Sequence, residues 1–170
     1  MKTSEKSPPT KIVDSLGSPR DEGEVLIEVM GAIKRAGIAV EPFVVEDALS
    51  GMATYIELFF GRPSSALSLR ISLLGPYAAL GGASFNWSQE HSIGSISQMT
   101  LGSVGDFTED LLALADCLRH ALSKELQILE RYDLAEPLPA EFNGRVISSL
   151  QNIEGRESPC VYDLLFQWED

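Results

Sequence analysis

The sequence predicts an α+β protein: a mostly antiparallel sheet of about five or six strands, packed against an N-terminal helix and one long helix in the C-terminal half. Three observations lead there. Residues 67–85, LSLRISLLGPYAALGGASF, alternate at period two, break at Gly75-Pro76 and resume, as two adjacent central strands would. Residues 21–36 carry apolar side chains at spacings of three and four. Residues 106–131 carry a longer stripe of the same kind.

With 170 residues the chain has the size of one domain with a sizeable core. We expect residues 1–20, polar and containing Pro8-Pro9 and Gly17-Ser18-Pro19, to be a flexible arm, with Ile12-Val13 as a local contact. Residues 21–170 form a single α+β domain. Hydrophobic residues make up 44% and charged residues 22%, ordinary values for a globular protein, but the net charge of −12 is unusual. It argues against binding nucleic acid or an anionic membrane, both of which require a basic surface. A basic protein partner would be attracted and steered. An acidic surface also serves solubility alone. The first residues lack the apolar segment of a signal peptide, and no apolar run is long enough to span a bilayer. The two cysteines, Cys117 and Cys160, make no disulfide framework, so the expected location is the cytoplasm.

Taken in order, 21–36 form the first helix. Leu26, Val29, Met30 and Ile33 share a face, Asp21, Glu22 and Glu24 crowd its start, Lys34 and Arg35 its end, and Gly37 stops it. Residues 38–45 read as a strand with Pro42 at an edge or bend. In 52–60 both alternating faces carry apolar groups, which predicts a strand covered on both sides. Gly61, Pro63, Ser64 and Ser65 turn the chain into the central stretch. There Leu67, Leu69, Ile71 and Leu73 fill the buried face, and Ala66, Ser68, Arg70 and Ser72 the other, small or polar one. Gly81-Gly82 marks a bulge or the close passage of another backbone. Residues 88–105 are a long polar loop, in which Ile96, Met99 and Leu101 suit a short strand. The long helix is predicted over 106–131, with Asp106 and Glu109 at capping-box spacing, and its stripe runs from Phe107 through Leu111, Leu114, Leu118 and Leu122 to Leu126 and Leu129. Pro137 and Pro139 end it, 138–142 suit one helical turn, and 159–168, PCVYDLLFQW, alternate as a last strand.

Chemistry-bearing patterns are weak. Cys117 and His120, three apart on the long helix, make half of a metal site, and completing it would need Cys160 and His91 to converge. The competing reading is a cysteine at the border of the core beside a surface histidine, so no metal and no cofactor is expected. Glu90-His91 offers a base in the 88–105 loop, but there is no G-x-S-x-G elbow. Gly102 to Gly105 precede a helix start, where Asp106, Glu109 and Asp110 would repel a phosphate.

The segments ISLLGPYAALGG and SPCVYDLLFQWED, together with the long penultimate helix, give the chain a resemblance to small acidic bacterial immunity proteins of polymorphic toxin systems. The resemblance implies a non-catalytic protein that binds and neutralises a cognate toxin, often a basic nuclease. It carries over no functional residue. The acidic charge fits such a partner, because carboxylates mimic phosphate and speed encounter. The expected contacts are the acids of the last strand and terminus, Asp163, Glu169 and Asp170, with Trp87 or Trp168 as an aromatic anchor, Trp168 sharing its face with the core residues Leu164 and Phe166. The alternatives are a small enzyme using the 88–105 loop and an oligomeric scaffolding module.

Overall fold

The structure is a computed structural model that describes residues 8–38, 43–44, 54–62, 65–87, 93–97, 99–142 and 159–166. It shows an α+β protein in which a sheet lies between two unlike covers. The helices are α1 (Pro8–Ser15), α2 (Glu22–Arg35), α3 (Glu109–Leu122), α4 (Arg131–Leu134) and α5 (Val161–Leu165). The strands are β1 (Phe43–Val44), β2 (Tyr55–Arg62), β3 (Ser65–Ser72), β4 (Tyr77–Trp87), β5 (Ile93–Ser97) and β6 (Gln127–Ile128). The order is β1-β2-β3-β4-β5, all antiparallel, and β6 adds parallel to the start of β4. The expectation of five or six antiparallel strands is thus only roughly met. Among the described residues, two of the six strands cover two residues each, and β6 runs the other way.

The centre forms for the reason its pattern suggests. Leu58, Leu69 and Leu80 are register partners across β2, β3 and β4, so the period-two leucines stack on one face. That face takes Ile56, Phe60, Leu67, Ile71, Leu73 and Ala78 and is covered by α2 and α3. In α2, Asp21 caps the start by accepting from the Glu24 N–H at 3.0 Å, and Gly37, at φ 72°, ends the helix in the conformation glycine adopts without strain. Val25, Val29, Ala32 and Ile33 of α2 meet Leu111, Ala115, Leu118 and Leu122 of α3 on the same core.

The opposite face is also covered, by α1, the segment around Met99–Val104, α4 and α5. The 1–20 arm of the sequence reading therefore contains a helix: Ile12 of α1 is buried, and the Ser15 and Tyr77 hydroxyls are hydrogen-bonded. Gly81-Gly82 is the close passage rather than the bulge. A Cβ on Gly81 would lie 2.5 Å from Met99 Sδ, and one on Gly82 2.5 Å from the Asp106 carbonyl oxygen. The sheet irregularity falls instead at Asn86/Trp87.

Two elements differ from expectation. The long helix ends at Leu122, because the chain turns at Ser123–Glu125 so that the Gln127 and Leu129 N–H groups donate to Pro76 and Ala78 carbonyls at 2.8 Å each. Leu126 and Leu129 stay buried through this pairing. Its start also differs: Thr108, not Asp106, is the N-cap residue. The last strand is α5. Residues 159–166 are buried throughout, so their alternation separates no core face from a solvent face, and Asp163 accepts from the Cys160 N–H at 2.9 Å as a helix-starting contact. Of the predicted strand at 38–45 the structure describes Ile38, which lies in no strand, and Phe43–Val44, which form β1. Within the predicted 88–105 loop the structure shows β5 and a 3-10 turn at Leu101–Ser103.

Candidate functional site

The residues singled out from sequence are not brought together. Asp163, expected as an exposed contact acid, is 3% exposed and held in the start of α5, so it is removed from the contact set. Trp87 ends β4 opposite Ile93. Glu169, Asp170, Trp168 and His91 lie outside the described residues. Cys117, expected at the core border, is exposed. Its neighbours Leu114 and Ala121 only flank the buried row of α3, and Cys117 is turned further out. His120 is exposed beside it. Among the described residues no three His, Cys, Asp or Glu side chains are placed to hold a metal ion. Cys160 is buried, and desolvation, followed by the nearby Asp163 charge, pushes its thiol up to about 11.

What the structure does assemble is a buried polar cluster on the face that looked solvent-facing. Glu57 of β2 and Arg70 of β3 are register partners, 3% and 5% exposed. Arg70 Nε lies 3.2 Å from Glu57 Oε1, off the line of a good hydrogen bond. The Ser68 hydroxyl donates to the same Glu57 oxygen at 2.7 Å. Arg70 Nη1 donates to the Tyr162 hydroxyl at 2.8 Å, and that hydroxyl donates to the Met99 carbonyl at 2.9 Å. The Arg70 guanidinium also sits 4.6 Å from the centre of the Tyr55 ring. Burial alone would lower the Arg70 pKa, but Glu57, Tyr162 and Tyr55 hold it above its ordinary value. Desolvation raises both Tyr162 and Tyr55, against the pull of Arg70. The cluster joins β2, β3, α5 and the Met99 segment, and its charges are met inside the fold. That suits positioning better than reaction with a ligand.

The open space lies elsewhere. A cleft of about 500 Å³ runs along β6, lined by Arg119, Lys124, Glu125, Gln127, Ile128 and Glu130 among others. A second, of about 430 Å³, lies where the C-terminal ends of α2 and α3 converge and shares Lys124 and Glu125 with the first. Between those ends Arg35 reaches Glu125 at 3.2 Å. Arg119 faces Asp116 at 3.5 Å and Glu130 at 3.6 Å, so cations and carboxylates alternate around this pole. The acids Asp21, Glu24, Asp106, Glu109 and Asp110 are exposed around the starts of α2 and α3.

No family model, curated protein or solved structure matches the chain. No helix among the described residues is long and apolar enough to cross a membrane.

Proposed function

We propose that the protein is a non-catalytic binding protein that neutralises a basic protein partner, the role its resemblance to immunity proteins implies. The observation that carries this reading is the net charge of −12 together with its display. Asp21, Glu24, Glu28, Asp106, Glu109, Asp110 and Asp116 are all exposed on or beside α2 and α3. Such a surface accelerates encounter with a cationic partner and holds off nucleic acid. With Asp163 buried, the acids of α2 and α3 take its place as first contacts, and Glu169 and Asp170 remain in the series to be tested.

The test is kinetic. A basic toxin domain captured with the chain from its source organism is purified, and its association is followed from low to physiological salt. The association rate should fall steeply, because screening shortens the Debye length to about 8 Å at physiological ionic strength. Dissociation should change less. An association rate flat in salt, and unchanged when Glu24, Glu28, Glu109, Asp110, Glu169 and Asp170 are neutralised, would overturn the reading.

A further inference from the structure

The outer face of α2 carries side chains that the fold does not use. Ile27, 75% exposed, is the most exposed large apolar side chain among the described residues. It stands in a row with Glu24, Gly31 and Lys34, at spacings of three, four and three, which sets all four on one side of the helix. The buried row of Val25, Val29, Ala32 and Ile33 takes the other side. A glycine inside a helix is destabilising, so its presence calls for a reason. At Gly81 and Gly82 the reason lies inside the fold, where the 99–106 segment passes. At Gly31 it does not: the nearest atom to an added Cβ is the tip of Arg35, one turn along the same helix, at 3.2 Å. The charges of α2 divide in the same way. Glu28 is paired with Arg20 at 2.7 Å and Arg35 with Glu125 at 3.2 Å. Glu24 and Lys34 are exposed and carry no ion pair among the described residues.

This row is complementary to itself when turned end for end. Its spacings are those of the seam between two packed helices. In an antiparallel pair that sets Ile27 opposite Gly31, the contacts centre on position 29, so Glu24 falls opposite Lys34 as well. A two-fold axis repeats each contact, giving two isoleucines over two glycines and an ion pair at either end. A parallel pair would instead set Glu24 against Glu24 and Lys34 against Lys34. The row holds one acid and one base, so a cationic partner finds no excess charge on it, whereas a second copy finds each charge matched. The net charge of −12 opposes the approach of two copies. At physiological ionic strength the Debye length is about 8 Å, so distant charges are screened while contacts within the seam persist.

We propose that the outer face of α2 is a homodimer surface, on which α2 of a second copy packs antiparallel, with Ile27 seated on Gly31 and Glu24 paired with Lys34 across the two-fold axis. This pairing goes beyond the binding-protein reading and does not rest on it. The seam is confined to one helix of 14 residues, about 21 Å long, so pairing should be weak, half complete on the order of 100 μM.

Sedimentation equilibrium of the full chain at physiological salt, over concentrations spanning that value, should show the mass rise from one chain to two. Ile27→Gln and Gly31→Gln should each weaken pairing on the order of tenfold or more. Their melting temperatures in dilute solution should hold or rise, since both positions face outward and glutamine favours a helix over glycine. Glu24→Lys and Lys34→Glu should each abolish self-pairing, because each leaves like charges opposed at both ends of the seam. Mixed with one another, these two variants should pair again, since every position 24 then faces an opposite charge at position 34. Glu109→Lys and Lys11→Glu, which shift net charge by the same amounts from α3 and α1, should each still self-pair. A chain that stays monomeric throughout, or pairing that ignores Ile27→Gln and Gly31→Gln, would overturn the surface. Charge-reversed variants that pair alone as well as they do when mixed would overturn the antiparallel arrangement.

Discussion

Arg70→Met removes one half of the buried ion pair, and its cost follows from what is left behind. Glu57 would keep its Ser68 donor at 2.7 Å but lose the guanidinium paired with it among the described residues, at 3% exposure. Leaving a buried charge without its counter-charge costs about 3–5 kcal/mol. The double variant Glu57→Leu/Arg70→Met replaces both charges by apolar groups, and such replacements are often neutral or stabilising by about 1–4 kcal/mol. Here the gain is reduced, because the Ser68 hydroxyl loses its acceptor and the Tyr162 hydroxyl loses its donor, at about 1 kcal/mol each. The double variant should therefore lie within about 2 kcal/mol of the parent, and because Glu57→Leu strands Arg70 as Arg70→Met strands Glu57, the cycle should show a coupling energy of about 4 kcal/mol or more. Urea unfolding of the four proteins measures it, with an unchanged m-value showing that stability alone moved. A single Arg70→Met cost below about 1 kcal/mol, or strictly additive effects, would mean that the pair is solvated and that the second cover does not seal this face.

Four further outcomes are expected. Ile71→Ala and Leu118→Ala, at fully buried positions on β3 and α3, should each cost about 2–5 kcal/mol in the same assay, and losses near zero would remove them from the core. Gly82→Ala should destabilise by about 1–3 kcal/mol, because its Cβ would meet the Asp106 carbonyl oxygen, a backbone atom with little room to move; a neutral result would show that the 99–106 segment can lift off β4. An alkylating reagent should modify Cys117 rapidly and Cys160 only on unfolding. With its pKa raised above its unfolded value, Cys160 keeps a proton in the native state that the unfolded chain loses. Stability should accordingly fall from about pH 9 towards about pH 11, and the raised Tyr162 and Tyr55 add to the same alkaline loss. Flat stability over that window would contradict it.

The parts of the fold that could be read from sequence are those where one face is buried and the next residue is not. The first helix met this condition, with Asp21 and Gly37 at its ends, and so did the hairpin at Gly75-Pro76. The misread parts lacked the contrast. Residues 159–166 are buried on all sides, and their accidental alternation resembled a strand. Leu126 and Leu129 continue the helical spacing of α3 although a turn at Ser123–Glu125 intervenes, and only their pairing with β4 reveals the difference. Ser68, Arg70 and Ser72 looked like a solvent face because polar side chains usually mark one. A signal for the ion pair was nevertheless present. The register of β2 with β3 sets Glu57 opposite Arg70, a pairing of opposite charges that hints at more than a wet surface. Nothing comparable marked the cleft along β6, most of whose lining comes from the end of α3 and the chain that follows it.

The unequal covers of the sheet impose an order on synthesis from the N-terminus. The leucine face can be closed once Leu126 has emerged, since α2, β2 to β4 and α3 all precede it. Glu57 and Arg70 wait longer, because the tyrosine that caps them stands at position 162. Throughout that interval the second side has α1 and the Met99–Val104 segment but lacks α5, the last of its covers. Those charges keep the unfinished side water-compatible, where an all-leucine equivalent would be sticky towards neighbouring chains on the same messenger.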